Sequence, residues 1–194
     1  MFYAFRHAES LANVAGVIAC DPVTSVPGFG LSDRGFQQVR DAALPWGSSP
    51  RLLIVTSDFR RARETAETLA ARLGLPAPET PPELAGLLRE RNFGPLEGQT
   101  SASYQSVWDH DAAGTDYPGV ETVEQVCSRL DQLLAWLRSD PSRLTGPGKG
   151  PDVVLVSHGD VLQILLARAA GLPPRQHRSI PPMGNAECRA IRWE

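Results

Sequence analysis

The chain has 194 residues, 42% hydrophobic and 21% charged, with a formal net charge of -3. This length suits one domain with a proper core, 1–194. The slightly acidic balance argues for neither nucleic acid nor an anionic membrane as partner, and no stretch reaches the ~18 consecutive apolar residues needed to span a bilayer.

Met1-Phe2-Tyr3-Ala4-Phe5 is apolar, has no charged leader, and runs at once into Arg6, His7 and Glu9. It reads as a short buried strand rather than a signal peptide. Residues 8–30 carry Pro22, Pro27, Gly28 and Gly30 and read as loop. Ser32 caps a predicted helix over Asp33–Leu44, which stops before Pro45 and Gly47. Leu52-Leu53-Ile54-Val55 is a second buried strand. Ser57 or Asp58 then caps a helix whose Phe59, Ala62, Ala66, Leu69, Ala70 and Leu73 share one face, with Gly74 at its C-terminus.

Residues 75–100 are proline-rich and predicted to be irregular, with one short strand at most. A short helix is expected around Tyr104 and Trp108, residues that suit either a core or a pocket wall. Val123, Val126, Leu130, Leu133, Leu134 and Leu137 form a continuous helical stripe that Pro141 ends. The glycine-rich run at 146–150 looks like a phosphate loop only superficially, because no Ser or Thr follows Lys149 and a strand follows instead of a helix. Val153–Val156 is a third buried strand, Val161–Ala170 a helix, and Cys188–Trp193 a last strand. Continuous apolar strands alternating with helices predict an α/β three-layer sandwich, a mainly parallel central sheet flanked by helices. Cys20, Cys127 and Cys188 are scattered, which fits inert thiols in a reducing, cytoplasmic setting.

The polar residues just after the strands carry the functional information. Strand one ends in Arg6-His7, strand two runs into Ser57 through Arg61, and the third ends in Ser157-His158-Gly159. Ligands bind at the carboxyl ends of parallel strands, so these groups are expected at one rim, joined by Glu90 and Arg91 from the proline-rich connection. Arginine forks bind phosphate oxygens, and a neutral imidazole is a nucleophile toward phosphorus. A second histidine donates to the same oxygens, and a carboxylic acid protonates a leaving alkoxide. Phosphoryl transfer is mostly positioning and charge stabilisation, and this set supplies both without a metal or other cofactor. The Asp109-His110-Asp111 run lacks further metal ligands at familiar spacing and reads as surface loop. His177 also reads as a surface residue.

In these motifs the chain resembles the histidine phosphatase superfamily, also called phosphoglycerate mutase-like. The family's opening Arg-His-Gly-Glu-Ser/Thr with a following Asn corresponds to Arg6-His7-Ala8-Glu9-Ser10 and Asn13. Further matches are Leu31-Ser32 with Gly35 and Gln38, Ser57 with Arg61-Ala62 and Thr65-Ala66, and Leu88 and Glu90 with Gly94 and Glu97-Gly98. Gly119-Val120-Glu121-Thr122 and Val156-Ser157-His158-Gly159 complete the series in the family's order. The resemblance implies the phosphoglycerate mutase-like fold and a phosphoric monoester hydrolase of the histidine acid phosphatase type. It also implies that His7 takes the phosphoryl group while Arg6, Arg61 and His158 hold its oxygens, helped by the Gly159 N–H. Asn13 faces the phosphate, Ser10 and Arg91 complete the substrate-binding set, and Glu90 donates the proton. Spacing selects Arg61 over Arg60. Ala8 replaces the family's usual glycine and puts a methyl group beside the nucleophile.

Two other functions compete with phosphatase. A cofactor-dependent phosphoglycerate mutase needs basic residues for a second phosphate, yet Gln99 to Val120 contains no Lys or Arg. Only basic groups from elsewhere, such as Arg91, Arg175 or Arg178, could complete that site. A non-catalytic phospho-ligand binder would ordinarily lack the nucleophile or an arginine, and all are present. The expected partner is a small phosphorylated metabolite.

Overall fold

The computed structural model describes residues 1–46, 52–78, 80–139 and 151–193. Gly47, Pro141 and the glycine-rich run at 146–150 lie outside the described residues.

In chain order the elements are β1 (Phe2–Arg6), α1 (Leu11–Ala15), α2 (Pro22–Ser25), α3 (Asp33–Asp41), β2 (Leu52–Thr56) and α4 (Arg60–Arg72). They continue with α5 (Pro82–Ala85), α6 (Tyr104–Ala112), α7 (Val123–Ser139), β3 (Asp152–Ser157), α8 (Gly159–Ala169) and β4 (Cys188–Ile191). The sheet order is β2-β3-β1-β4. β1 and β2 both pair parallel to β3, and β4 runs antiparallel along β1. Arg6 is in register with Ser157, and Thr56 with Val156, so the three parallel strands end at one edge.

Alternation along the strands builds two cores, because successive side chains point to opposite faces. Ala4, Val153 and Leu155 pack with Leu130, Leu133 and Leu137 of α7 and Leu162 and Leu165 of α8. Phe5, Val154 and Val156 face the other way, onto Val39 of α3 and Ala62, Ala66 and Leu69 of α4. The expected mainly parallel sheet with helices on both faces is the observed one. A third cluster, Ile18, Cys20, Phe93, Leu96, Val107 and Val120, lies under the connections that carry Glu90 and α6.

The departures from the predicted elements have local causes. Residues 8–30 contain α1 and α2, each too short to show a helical period. α1 exists through a capping box between Ser10 and Asn13 and closes on Gly16 at φ 67°. α3 stops at Asp41 rather than Leu44, where the Arg72 guanidinium donates to the carbonyls of Val39 and Ala42 at 3.0 and 2.9 Å. Phe59, not Ser57 or Asp58, is the cap residue of α4; Ser57 Oγ accepts the Phe59 N–H at 3.2 Å, shaping the turn before the helix. Among the described residues 75–100 there is no strand, only α5 and short 3₁₀ turns at Gly86–Leu88 and Gly94–Leu96. No helix of the described residues is long and apolar enough to cross a membrane.

Candidate active site

The shared edge of β1, β2 and β3 opens into a cavity of about 230 Å³ lined by Arg6, His7, Arg61, Glu90 and Gly159, among others. The His7 N–H donates to the Ser157 carbonyl at 2.9 Å, which extends the β1–β3 ladder to the nucleophile position. The ring is held by its other end: Nδ1 donates to the Ala8 carbonyl at 2.7 Å. That bond fixes the tautomer and leaves Nε2 with its lone pair, which accepts from Arg61 Nε at 3.2 Å. Burial first, and then the charges of Arg61 and Arg6, hold the His7 pKa well below the ordinary histidine value. The group is therefore a neutral imidazole with an available nitrogen.

The residue after it does not strain the backbone. Ala8 is fully buried in the α3–α4 core, and among the described residues the only non-glycine positions with positive φ are Phe29 and Ala186. Its N–H donates to Thr65 Oγ1 at 3.1 Å, and the Thr65 hydroxyl donates to the Arg61 carbonyl at 2.7 Å. Thr65 thus ties the nucleophile's neighbour to the first turn of α4.

Arg61, 4% exposed, is the hub of the cavity floor. Its Nε is shared between His7 Nε2 and His158 Nδ1, both at 3.2 Å, and its Nη2 donates to the Ala19 carbonyl at 2.8 Å. His158 Nε2 in turn donates to Ser57 Oγ at 3.0 Å. The two imidazoles stand 5.1 Å apart, centre to centre. Burial and the Arg61 charge depress His158 as well. Arg6 Nη1 donates to the Met183 carbonyl. Arg6 Nε and Arg61 Nη1 are buried donors without a partner among the described residues. Such orphaned cationic donors are costly unless an acceptor reaches them, and both belong to side chains of the same cavity. Arg60, by contrast, pairs with Glu64 at 2.7 Å on the outer face of α4. Gly159 opens α8, and a Cβ there would meet Arg6 Nε at 3.5 Å, an ordinary contact.

Glu90 reaches the cavity from the proline-rich connection. Its Oε1 accepts from the N–H of Arg91 at 3.0 Å and of Val161, in the first turn of α8, at 3.4 Å. Burial, then the neighbouring Asp160 carboxylate, raise its pKa above the usual carboxylate range despite Arg61 and Arg6. Asn13 also lines the cavity. Its Oδ1 accepts from the Ser10 N–H and hydroxyl, both 3.0 Å, and from Asn185 Nδ2 at 3.4 Å, which orients the amide. The Ser10 hydroxyl is fully buried in the α1 cap. Tyr104 and Trp108 stack at 5.5 Å and both stand in the cavity wall.

Arg91 is placed elsewhere than the sequence reading put it. It is 1% exposed, with Nη1 and Nη2 on the Asp111 carboxylate at 2.6 and 2.9 Å, Nη1 also 3.2 Å from Asp160, and Nε on the Glu121 carbonyl at 2.6 Å. Its donors are engaged inside the protein, where no substrate oxygen reaches them. Asp111 belongs to α6 rather than to a surface loop and turns inward to Arg91. His177 is fully buried, with its ring nitrogens 3.2 Å from Asp160 and 3.1 Å from the Pro174 carbonyl. Asp160 gathers His177, Arg91 and, at 3.0 Å, Trp108 Nε1. Burial alone would raise the Asp160 pKa, but the bonds from His177 and Arg91 hold it below the usual value. Because Arg91 joins three segments, Arg91→Met is expected to cost about 3–5 kcal/mol in urea unfolding, and the double change with Asp111→Leu to recover part of it. A loss under about 1 kcal/mol would mean that the pair is dispensable.

Arg178, which the sequence offers only as a basic group for a second phosphate, and Gln163, which it does not single out, line the same cavity. An arginine in a proline-flanked connection carries no local signal of that position.

The sequence profile of the histidine phosphatase superfamily (branch 1) matches residues 2–194. The chain is 35% identical over 166 residues to a glucosyl-3-phosphoglycerate phosphatase of Mycobacterium tuberculosis, covering 80% of this chain and 71% of that one. It is 29% identical over 181 residues to a probable phosphoglycerate mutase of Photorhabdus laumondii, covering 92% and 78%. The solved structure of a mycobacterial glucosyl-3-phosphoglycerate phosphatase superposes with a TM-score of 0.76 at 29% identity, covering 100% of this chain and 95% of that one. Profile, relatives and fold agree: the chain belongs to the histidine phosphatase superfamily, branch 1, whose phosphatases work through a phosphohistidine intermediate.

Proposed function

We propose that His7 Nε2 attacks the phosphorus of a small phosphate monoester and that Glu90 protonates the departing alcohol. The observation that carries this reading is the neutral His7 nitrogen facing the same cavity as the unpartnered donors of Arg6 and Arg61. In the first step the Nε2 lone pair forms the N–P bond, the P–O bond to the alcohol breaks, and the Glu90 proton moves to the leaving oxygen. The positive charge that develops on the ring stays with Nδ1–H, which already donates to the Ala8 carbonyl. In the second step the Glu90 carboxylate takes a proton from water, the water oxygen bonds to phosphorus, and the N–P electrons return to Nε2. Arg6, Arg61, His158 and the Gly159 N–H hold the phosphoryl oxygens throughout, with Asn13 at the rim. The dianion would favour a cationic His158, which then donates rather than accepts. Two guanidinium groups supply the positive charge that a metal supplies elsewhere. A nucleophile neutral below the ordinary histidine range and an acid protonated above the ordinary carboxylate range support the acid phosphatase type.

The substrate is a small phosphorylated metabolite, and the relatives' names put phosphate esters of glycerate first among candidates. Hydrolysis is favoured over mutase transfer because a second phosphate, at about two negative charges, has few cations to meet. Gln99 to Val120 has no Lys or Arg, Arg91 is bound by Asp111 and Asp160, and Arg175 by Glu124 and Asp116. The test supplies glucosyl-3-phosphoglycerate and 3-phosphoglycerate, with and without 2,3-bisphosphoglycerate, and follows both free phosphate and 2-phosphoglycerate. Free phosphate is expected as the main product, unaffected by the bisphosphate. Fast formation of 2-phosphoglycerate with little free phosphate would overturn the assignment.

A further inference from the structure

Arg178 is the third arginine of the cavity, and its surroundings differ from those of Arg6 and Arg61. It follows α8 in the 3₁₀ segment Pro174–Ser179. Its Cζ lies 3.7 Å from the centre of the Trp108 ring, within cation–π range. Its Nη1 donates to Gln163 Oε1, and the Gln163 amide, 1% exposed, is itself oriented by donation to the Ile180 carbonyl. Trp108 is held in turn by its Nε1–H to Asp160. Among the described residues no carboxylate lies within ion-pair distance of Arg178. The nearby Asp160 is already engaged by Arg91, His177 and Trp108. A guanidinium braced on two sides and without a counter-ion among the described residues, in the wall of a phosphate cavity, is built to meet an anion.

Building on the phosphatase reading above, we infer that Arg178 binds a carboxylate carried by the substrate beside its phosphate ester. The charge count selects a carboxylate over a second phosphate. One guanidinium matches a single negative charge, and the other arginines of this region, Arg91 and Arg175, are neutralised by their own acids. Geometry agrees: with Nη1 on Gln163, Nε and Nη2 remain as a fork that fits a planar carboxylate. Arg178 is then a specificity-determining residue, and the aromatic wall of Tyr104 and Trp108 serves as its support.

The test measures binding by calorimetry in a His7→Ala background, so that it does not depend on turnover. The ligands are 3-phosphoglycerate, glycerol 3-phosphate, which lacks the carboxylate, and 2,3-bisphosphoglycerate. Expected is a preference of about tenfold or more for 3-phosphoglycerate over glycerol 3-phosphate, abolished by Arg178→Met with glycerol 3-phosphate changed less than about twofold. Arg178→Lys should retain part of the preference, since charge survives but the fork does not. No preference in the Arg178-containing protein, or equal loss for both monophosphates in Arg178→Met, would overturn the inference. Arg178-dependent binding of the bisphosphate tighter than of 3-phosphoglycerate would overturn it too, revealing a second phosphate site. Should His7→Ala retain full turnover, the nucleophile assignment falls while the carboxylate preference still decides the role of Arg178.

Discussion

His7→Ala is expected to lower kcat for any phosphate monoester by about 10⁴-fold or more, because it removes the atom that bonds to phosphorus. The loss should be chemical and not structural. His7 is buried, but its ring is tied to its own neighbour's carbonyl and to Arg61, and neither contact joins hydrophobic layers. Far-UV circular dichroism of the variant should match the parent. The decisive measurement is rapid quenching with labelled substrate. Phosphohistidine is labile in acid and stable in base, whereas a phosphoserine ester is not, so label retained under alkaline quench and lost under acid quench identifies the intermediate. That label should be absent in His7→Ala. Undiminished turnover or unchanged labelling in the variant would remove His7 from the mechanism.

Glu90→Gln is expected to reduce turnover of alkyl phosphates by about 10²- to 10⁴-fold, the usual worth of a positioned general acid. The first, phosphoryl-transfer step should be much less affected with p-nitrophenyl phosphate, whose leaving group needs no proton. With that substrate the second step, which needs the Glu90 carboxylate as base, becomes limiting and phosphohistidine should accumulate. The pH profile separates the two groups. His7 must be neutral to attack, and its depressed pKa places the acid limb below the ordinary histidine value. Glu90 must be protonated to donate, and its raised pKa places the alkaline limb above the ordinary carboxylate value. Activity toward alkyl phosphates therefore falls as pH drops through the first and as it rises through the second. Glutamine does not titrate, so Glu90→Gln should erase the alkaline limb and leave the acid limb in place. An alkaline limb that persists in the variant would assign the proton to another group.

The positions of His7, Arg6, Arg61 and His158 were readable because each ends or follows a strand with a continuous apolar run, and parallel strands deliver their C-terminal residues to one edge. The long helices were readable for a similar reason: Val123 through Leu137 repeat with the helical period, and that stripe is what α7 buries. Short helices such as α1 and α2 left no such trace, since capping bonds rather than periodic burial hold them. The connections defeated the reading in another way. Arg91 stands beside Glu90 in sequence, which suggests a substrate contact, yet its acids come from α6 and α8. The polar sequence around His177 suggests a surface residue, but folding the 3₁₀ segment against α8 buries it on Asp160. Arg178, one position on, turns to Trp108 and the cavity. Hydrophobic periodicity reports which face of an element is apolar, and so the sheet, the long helices and the groups at the strand ends are legible in the chain. Which charge a loop residue meets depends on segments remote in the chain, so the placing of Arg91 and His177 on buried acids and of Arg178 in the cavity wall follows from tertiary packing.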